Sequence, residues 1–211
     1  MLTPDDRAAV AEFAPALDRA VSLDPKSLAR LRLGAEEATV LIRLPFGILV
    51  SRTVEVPRSE AAVDVTTRAA ELLDWLQDEN VQPEVRDLEW RAGRPPSGGW
   101  RRIETIPDSV LRPLVRSGAL TLKQAAEREG VPGAQPRAEV ADALLDSVVL
   151  TASDDRGSAE VTLRTVSALT RMGFLPRSGF AHVDVAGRWV RLVAEYGTVY
   201  LERPGQTLGL L

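Results

Sequence analysis

Arginine and tryptophan side chains are interleaved in one segment of this chain, between residues 86 and 102. An arginine guanidinium can make two parallel hydrogen bonds to a phosphate, and an indole ring can stack on a nucleobase. The residues that this pattern indicates for nucleic-acid binding are Arg91, Arg94, Trp100, Arg101 and Arg102. The alternative is that the tryptophans anchor the segment on the body of the protein while the arginines remain solvated. The net charge of −4 favours this alternative.

One further arginine falls on an otherwise apolar strand face. Arg52 shares its strand parity with Val50 and Val54, and Glu202 takes the corresponding position in a second copy of the same pattern, described below. We expect the copies to abut about a pseudo-two-fold axis, with Arg52 and Glu202 as a structural pair, because a buried guanidinium needs an acceptor. The alternative is that Arg52 reaches water from a sheet edge.

Residues 121–146 could form a helix-turn-helix. A small residue at Ala126 and a glycine at Gly130 would allow two helices to cross closely, as in DNA-reading motifs. The second helix is acidic, however, since it contains Glu139 and Asp142, and these charges repel DNA phosphates. A plain helical hairpin is therefore favoured over a DNA-reading motif.

The sequence lacks the residues that most catalytic and metal-binding sites require. There are no cysteines, which excludes disulfides, thiol nucleophiles and cysteine-ligated zinc. We expect the only histidine, His182, to face solvent on a strand. Neither a Gly-x-Ser-x-Gly elbow nor a Gly-Lys-Ser/Thr phosphate loop occurs. We therefore expect no catalytic residues, no cofactor and no metal, and the alternative is an enzyme that uses acidic residues from distant segments.

Length and composition indicate a folded, soluble chain. Its 211 residues can bury a core, and no apolar run is long enough to cross a membrane. The N-terminus is acidic, where a signal peptide would be basic. We expect a cytoplasmic protein that does not bind membranes.

The elements that position these residues follow a pattern that occurs twice. In each copy an amphipathic helix precedes three segments of alternating or β-branched residues, and an aromatic-glycine pair, Phe46-Gly47 or Tyr196-Gly197, marks a turn. The predicted strands are 28–33, 38–44 and 48–56 in the first copy, and 180–185, 188–195 and 198–203 in the second. The pattern predicts an α+β protein with two α-β-β-β repeat units, antiparallel sheet and a middle segment of three short helices.

Between the copies, the sequence predicts a helix at about 59–78, a segment rich in proline and glycine, and the three short helices. The second copy begins with a predicted helix at about 158–172. We expect Gly118 to end the first short helix and Thr121 to cap the second. The predicted organisation is a first α-β-β-β(-α) unit at 1–80, a loop or linker at 81–105, a helical segment at 106–152 and a second unit at 153–211.

Four stretches carry a resemblance to a known family, and they are Leu23 to Pro25, Leu44 to Thr53, Pro132 to Arg137 and Asp184 to Trp189. In these stretches the chain resembles a family of uncharacterised conserved proteins encoded by high-GC actinobacteria, and the resemblance extends over most of the chain. It implies no activity.

Together these observations favour a non-enzymatic cytosolic binding, adaptor or regulatory protein that engages another protein or a second copy of itself. Repeated helix-and-sheet units expose edge strands, which favour strand addition or dimerisation. The alternatives are a DNA-binding regulator that uses the hairpin at 121–146 and an enzyme with an unrecognised site.

Overall fold

The computed structural model describes residues 7–8, 10–56, 62–78, 80–128 and 138–203. These residues form two compact units, and the main boundary in the chain lies between Ala92 and Gly93; the short segments 171–173 and 196–198 belong to the first unit. The protein is a mixed α+β structure with antiparallel sheet, which confirms the predicted fold class at that level.

The first unit places two helices with four neighbouring antiparallel strands in the order β4-β1-β2-β3. The elements in chain order are α1 (Ala14–Leu23), β1 (Leu28–Leu33), β2 (Glu37–Arg43), β3 (Leu49–Glu55), β4 (Val63–Arg68) and α2 (Ala69–Gln77). A 3-10 turn at Ala11–Phe13 precedes α1, and α1 packs against α2. Phe13, Leu17, Leu31 and Trp75 are almost fully buried, because the apolar face of each amphipathic helix must pack against another apolar surface.

Strand β4 corrects one prediction. The sequence predicts a helix over 59–78, but the helix begins only at Ala69. The preceding residues Val63–Arg68 pair antiparallel with β1, from Leu33 opposite Val63 to Leu28 opposite Arg68. This segment is rich in β-branched residues, and pairing with β1 satisfies its backbone groups, so tertiary pairing decides its structure.

The second unit places three helices with four neighbouring antiparallel strands in the order β5-β8-β9-β10, and it has a separate two-stranded sheet, β6-β7. The elements are β5 (Arg101–Pro107), α3 (Asp108–Arg128), α4 (Ala138–Leu145), β6 (Val148–Asp154), β7 (Gly157–Thr162), α5 (Leu163–Arg171), β8 (Phe180–Ala186), β9 (Trp189–Ala194) and β10 (Gly197–Glu202). Leu111, Val166, Leu169, Val183 and Leu192 are buried in its core.

The two segments that the sequence predicts as copies share a topology. In each unit a helix precedes three strands that neighbour one another in chain order, β1-β2-β3 or β8-β9-β10. A fourth strand pairs antiparallel with the first of the three, β4 with β1 and β5 with β8. The six strands fall within one or two residues of the predicted ranges. Gly47 adopts a positive φ of 72°, as its predicted turn requires, and Gly187, between β8 and β9, adopts a φ of 53°.

The first two of the three predicted short helices form a single helix, while α4 corresponds to the third. Helix α3 is continuous from Asp108 to Arg128, so it passes through both Pro113 and Gly118. Gly118 is buried, and a Cβ at this position would overlap the side chain of Leu163. The glycine is therefore a point of close packing and not a helix end. Thr121 does not cap a second helix, because its hydroxyl donates to the Ser117 carbonyl oxygen at 3.0 Å within the same helix.

A β-hairpin replaces parts of two other predicted helices. Val148–Asp154 and Gly157–Thr162 pair as β6 and β7, where the sequence predicts helix up to about 150 and again from about 158. The Asp154 side chain accepts a hydrogen bond of 2.9 Å from the backbone N–H of Arg156, which stabilises the turn between the strands. The predicted helix-turn-helix at 121–146 is described only in part, since Gly130 lies outside the described residues.

Candidate binding surface

Trp100 lies just before β5 and is packed against the strands β5, β8, β9 and β10 of the second unit, which are called the second sheet below. Its indole N–H donates to the Pro96 carbonyl oxygen at 2.9 Å, and the guanidinium carbon of Arg191 lies 4.2 Å from the ring centroid. The Tyr200 ring lies 5.9 Å from the indole, centroid to centroid, with an angle of 55° between the ring planes. A cation over one face and a tilted aromatic ring beside it make Trp100 part of the packed layer.

A row of three charged side chains crosses the strands next to Trp100. Arg102 of β5 lies opposite Asp184 of β8, and Asp184 lies opposite Arg191 of β9. The Arg102 Nε donates to Asp184 Oδ1 at 3.1 Å, while Arg191 donates from Nε and Nη2 to Asp184 Oδ2 at 3.0 and 2.9 Å. The Asp184 side chain is only 3% exposed. These three charge-assisted hydrogen bonds offset the cost of burying the carboxylate.

His182 lies in the next row of the same sheet. It is opposite both Thr105 of β5 and Val193 of β9, and its Nδ1 is 2.8 Å from the Thr105 hydroxyl oxygen. Burial lowers the pKa of His182 below 6.5, and the positive charge of Arg102 lowers it further, against a smaller opposing effect of Asp184. The lowered pKa favours the neutral imidazole, and the side chain is partly buried rather than fully exposed.

The other residues predicted for nucleic-acid binding lie in different surroundings. Arg101 forms an ion pair with Asp154 of β6. Arg91 and Arg94 are exposed, and within the described part of the chain neither forms an ion pair. The structure thus brings Trp100 and Arg102 together and engages Arg101 elsewhere, so the five candidates do not form one stacking platform.

The predicted structural pair has other partners in the structure. Arg52 Nη2 lies 3.0 Å from Glu12 Oε2 in the first unit, and Glu202 forms an ion pair with Arg188 in the second. Both contacts satisfy the expectation that a partly buried charge needs an acceptor. The pairing of Arg52 with Glu202 stays a prediction.

Sequence reasoning missed the residues that organise this surface, Asp184 and Arg191. The signal was present, because Asp184 shares strand parity with His182 in a strand otherwise rich in valine and alanine. A carboxylate at such a position requires a cationic partner across the sheet. What the sequence lacked was the register that places Arg102 and Arg191 on either side.

A second feature is a cleft at the outer edge of strand β4 in the first unit. It has a volume of about 200 Å³. Its lining residues are mostly apolar and are Val63, Val65, Thr66, Thr67, Gln82, Pro83 and Val85. One lining residue, Val85, is 61% exposed, and the apolar side chains of Val81 and Leu88, which are close to it in the chain, are 36% and 88% exposed. Exposed apolar side chains that follow one another along a cleft are typical of interaction sites.

The cleft is lined on one side by β4 and on the other by the segment 82–85, and the residues that follow this segment are hydrogen-bonded to β4. The Arg86 backbone N–H donates to the Thr66 carbonyl oxygen at 2.7 Å, and the Thr66 N–H donates to Asp87 Oδ1 at 2.7 Å. Arg86 also bonds to Glu89 and Glu71, and these carboxylates raise its pKa above the usual value. The cleft is therefore pre-formed by hydrogen bonds.

Two features are absent from the described residues, a metal-binding cluster and a membrane-spanning helix. No group of three or more His, Cys, Asp or Glu side chains there could hold a metal ion. No helix in the described ranges is long and apolar enough to cross a membrane.

Two domain families match the sequence. Residues 95–206 match the domain of unknown function DUF8185, and residues 1–95 match the domain of unknown function DUF8010. Their junction falls close to the boundary between the two units. No curated protein sequence matches the chain.

Solved structures with a similar fold are DNA polymerase clamps. The subunit beta of DNA polymerase III from Pseudomonas aeruginosa is 12% identical with a TM-score of 0.59, and the match covers 96% of this chain and 64% of that one. The DNA polymerase sliding clamp from Caulobacter crescentus is 13% identical with a TM-score of 0.54, and the match covers 96% and 65%. The chain thus spans slightly less than two thirds of the length of these proteins. At this identity the likeness shows the fold alone.

Proposed function

The chain belongs to the DUF8185 family, and we propose that it is a non-enzymatic protein-binding module whose contact site is the cleft beside edge strand β4. It works in the cytoplasm as an adaptor or regulatory protein, and its partner is another protein or a second copy of the chain. The likeness to DNA polymerase sliding clamps supports a scaffold role. The occurrence of such proteins in high-GC actinobacteria stays a prediction.

The observation that carries the proposal is the apolar cleft. The backbone N–H and C=O of Thr66 at the outer edge of β4 are already bonded to Asp87 and Arg86, so the cleft offers an apolar side-chain contact and not an added strand. The volume of about 200 Å³ is smaller than the roughly 300–1,000 Å³ typical of small-molecule sites. The size therefore favours a side chain of a protein partner over a metabolite. Val85 and Leu88 are the exposed apolar contacts that such a partner would cover.

Charge favours a protein partner over duplex DNA. A surface that binds duplex DNA needs an excess of lysine and arginine to neutralise phosphates. The sequences of the five helices contain seven acidic and seven basic residues, so they offer no such excess. In helix α4 the acidic Asp142 remains 62% exposed although it pairs with Arg164. These balanced charges do not support the DNA-binding alternative at 121–146.

The test is affinity capture with the full chain as bait in cytosol of the source organism, with nuclease added. The cleft variant replaces Val85 and Leu88 by aspartate. Its matched control replaces Val110 and Leu120 of helix α3 by aspartate, because these side chains are also exposed, at 42% and 60%. We expect the wild type and the control to retain the same protein, and the cleft variant to lose it.

Two results would contradict the proposal. Capture that disappears on nuclease treatment would point to nucleic acid as the partner. Equal capture by the cleft variant and the wild type would remove the cleft from the binding site.

A further inference from the structure

We infer that the outer face of the second sheet is a binding site for a carboxylate-rich segment of a protein partner. The inference rests on the proposed function, because it adds a second contact to a protein-binding module. We call this surface the arginine face, and its members are Arg94, Arg102, Arg188, Arg191 and Arg203.

The arginine face carries a local excess of positive charge on an acidic chain. Arg102 and Arg191 share the carboxylate of Asp184, and Arg188 pairs with Glu202. Arg94 and Arg203 form no ion pair among the described residues, so five guanidinium groups face two carboxylates. The whole chain has a net charge of −4, so this surface differs in sign from the chain as a whole. Such a patch attracts an acidic ligand while the rest of the protein does not.

Arg102 is the central contact of the arginine face. Only its Nε is hydrogen-bonded, to the buried carboxylate of Asp184, and its side chain remains 53% exposed. Asp184 thus holds the guanidinium through its Nε, and the terminal nitrogens have no hydrogen-bond acceptor among the described residues. An oriented guanidinium binds a carboxylate through two parallel hydrogen bonds and loses little side-chain entropy in doing so.

Arg94 supplies a second exposed guanidinium. The preceding residue, Gly93, is pressed onto the sheet, since a Cβ there would lie 2.9 Å from Glu202 Oε2 and 3.0 Å from the Trp189 ring. This close approach anchors the backbone beside Arg94, which is exposed and has no ion pair among the described residues. Arg188 pairs with Glu202 but remains 64% exposed, so it adds to the same charge.

The packing of the tryptophan favours an acidic peptide over single-stranded nucleic acid. Binding of single strands without sequence preference relies on aromatic rings on which bases stack. Trp100 has the Arg191 guanidinium 4.2 Å from its ring centroid and the Tyr200 ring beside it, so one face of the indole is already covered. What remains on this face is a set of guanidinium groups, which recognise carboxylates without a stacking platform.

The test measures binding of three fluorescent probes to the full chain by anisotropy. The probes are a peptide of alternating glutamate and serine, a neutral peptide of alternating glutamine and serine, and an oligothymidine with the same number of negative charges as the acidic peptide. We expect the acidic peptide to bind most tightly, with an affinity that falls as salt is added. Arg102→Glu and Arg94→Glu should each weaken it by about tenfold or more, the effect of losing one charge-assisted contact.

The matched control is Arg116→Glu on helix α3, an exposed arginine with no ion pair among the described residues. It makes the same change in net charge, and we expect less than about a twofold effect, because the site is local. Arg102→Glu also breaks the contact with Asp184, so its fold is checked by circular dichroism. Arg94→Glu makes no such break and keeps the inference testable if the other variant unfolds.

Four results would overturn the inference. They are tighter binding of oligothymidine, equal binding of the neutral peptide, no binding of the acidic peptide, and no effect of Arg94→Glu. None of them affects the proposed function, which depends on the Val85 and Leu88 variant in the capture assay. If that variant captures the partner normally while Arg94→Glu loses binding of the acidic peptide, the arginine face is supported as a binding site and the cleft is refuted as one.

Discussion

Replacement of Asp184 by asparagine tests the charged row that organises the second sheet. The carboxylate is 3% exposed and accepts three hydrogen bonds from two guanidinium groups. Asparagine keeps the size but removes the charge. The variant therefore keeps one acceptor oxygen, sets N–H donors against the other guanidinium group, and removes the negative charge that both arginines share, while the packing volume is unchanged.

The expected cost follows from the exposure of the two arginines. Removal of one partner of a fully buried ion pair costs about 3–5 kcal/mol, because the other charge remains buried and uncompensated. Here the side chains of Arg102 and Arg191 are 53% and 24% exposed, so water can hydrate both in part. We expect the free energy of unfolding to fall by about 3 kcal/mol, at the lower end of that range. With a urea m-value of about 2 kcal/mol/M, the midpoint shifts by about 1.5 M.

Urea unfolding followed by tryptophan fluorescence and circular dichroism measures this shift. Trp100 lies in the affected layer, in contact with Arg191, and reports on it directly. The control is Asp155→Asn in the exposed turn between β6 and β7, for which we expect a change within about 0.5 kcal/mol. If Asp184→Asn shifts the midpoint no more than Asp155→Asn does, the row of charges does not hold the sheet and the reasoning is refuted.

Three further predictions concern the second unit. The native state disfavours the protonated imidazole of His182, so the free energy of unfolding should fall as the pH drops through and below 6.5, the pKa in the unfolded state. His182→Gln should reduce this pH dependence in urea titrations at several pH values. An unchanged dependence of the free energy of unfolding on pH would contradict the prediction. Gly118→Ala should lower the free energy of unfolding by about 1 kcal/mol in thermal melts, because overlap with Leu163 outweighs the gain in helix propensity; a stabilised variant would show that α3 can move away. Arg164→Ala should speed hydrogen exchange in helix α4, since Arg164 ties two aspartates of that region to α5; unchanged exchange there would mean that apolar packing alone holds the helix.

The six strands of the repeat could be predicted because their signal is local. Alternation of apolar and polar residues and β-branched composition are properties of a few consecutive residues, and Gly47 and Gly187 mark turns that require a positive φ. Strands β4 and β5 could not be predicted in the same way. Each is stabilised by pairing with a strand that is distant in the chain, β1 or β8, and the turn residues around them resemble those of loops.

The error in helix α3 has a related cause. Proline and glycine punctuate most sequences, and Gly118 was a reasonable helix end by itself. Its function in the structure is to let α3 approach Leu163, a residue 45 positions further along the chain. A local rule cannot distinguish a glycine that ends a helix from one that permits close packing, because the difference lies in the partner.

The candidate surfaces also depend partly on local sequence and partly on contacts between distant segments. The segment with Trp100 and Arg102 stood out in the sequence by residue type, and the absence of cysteine excluded thiol chemistry outright. Residue type is fixed by the sequence, and so are local propensity and net charge. The sequence did not determine that Arg191 would cover the Trp100 ring, that Asp184 would orient Arg102, or that Val85 would line a cleft with β4. Those outcomes depend on strand register, which places side chains from distant segments within hydrogen-bonding or stacking distance, and register is settled only when the whole sheet forms.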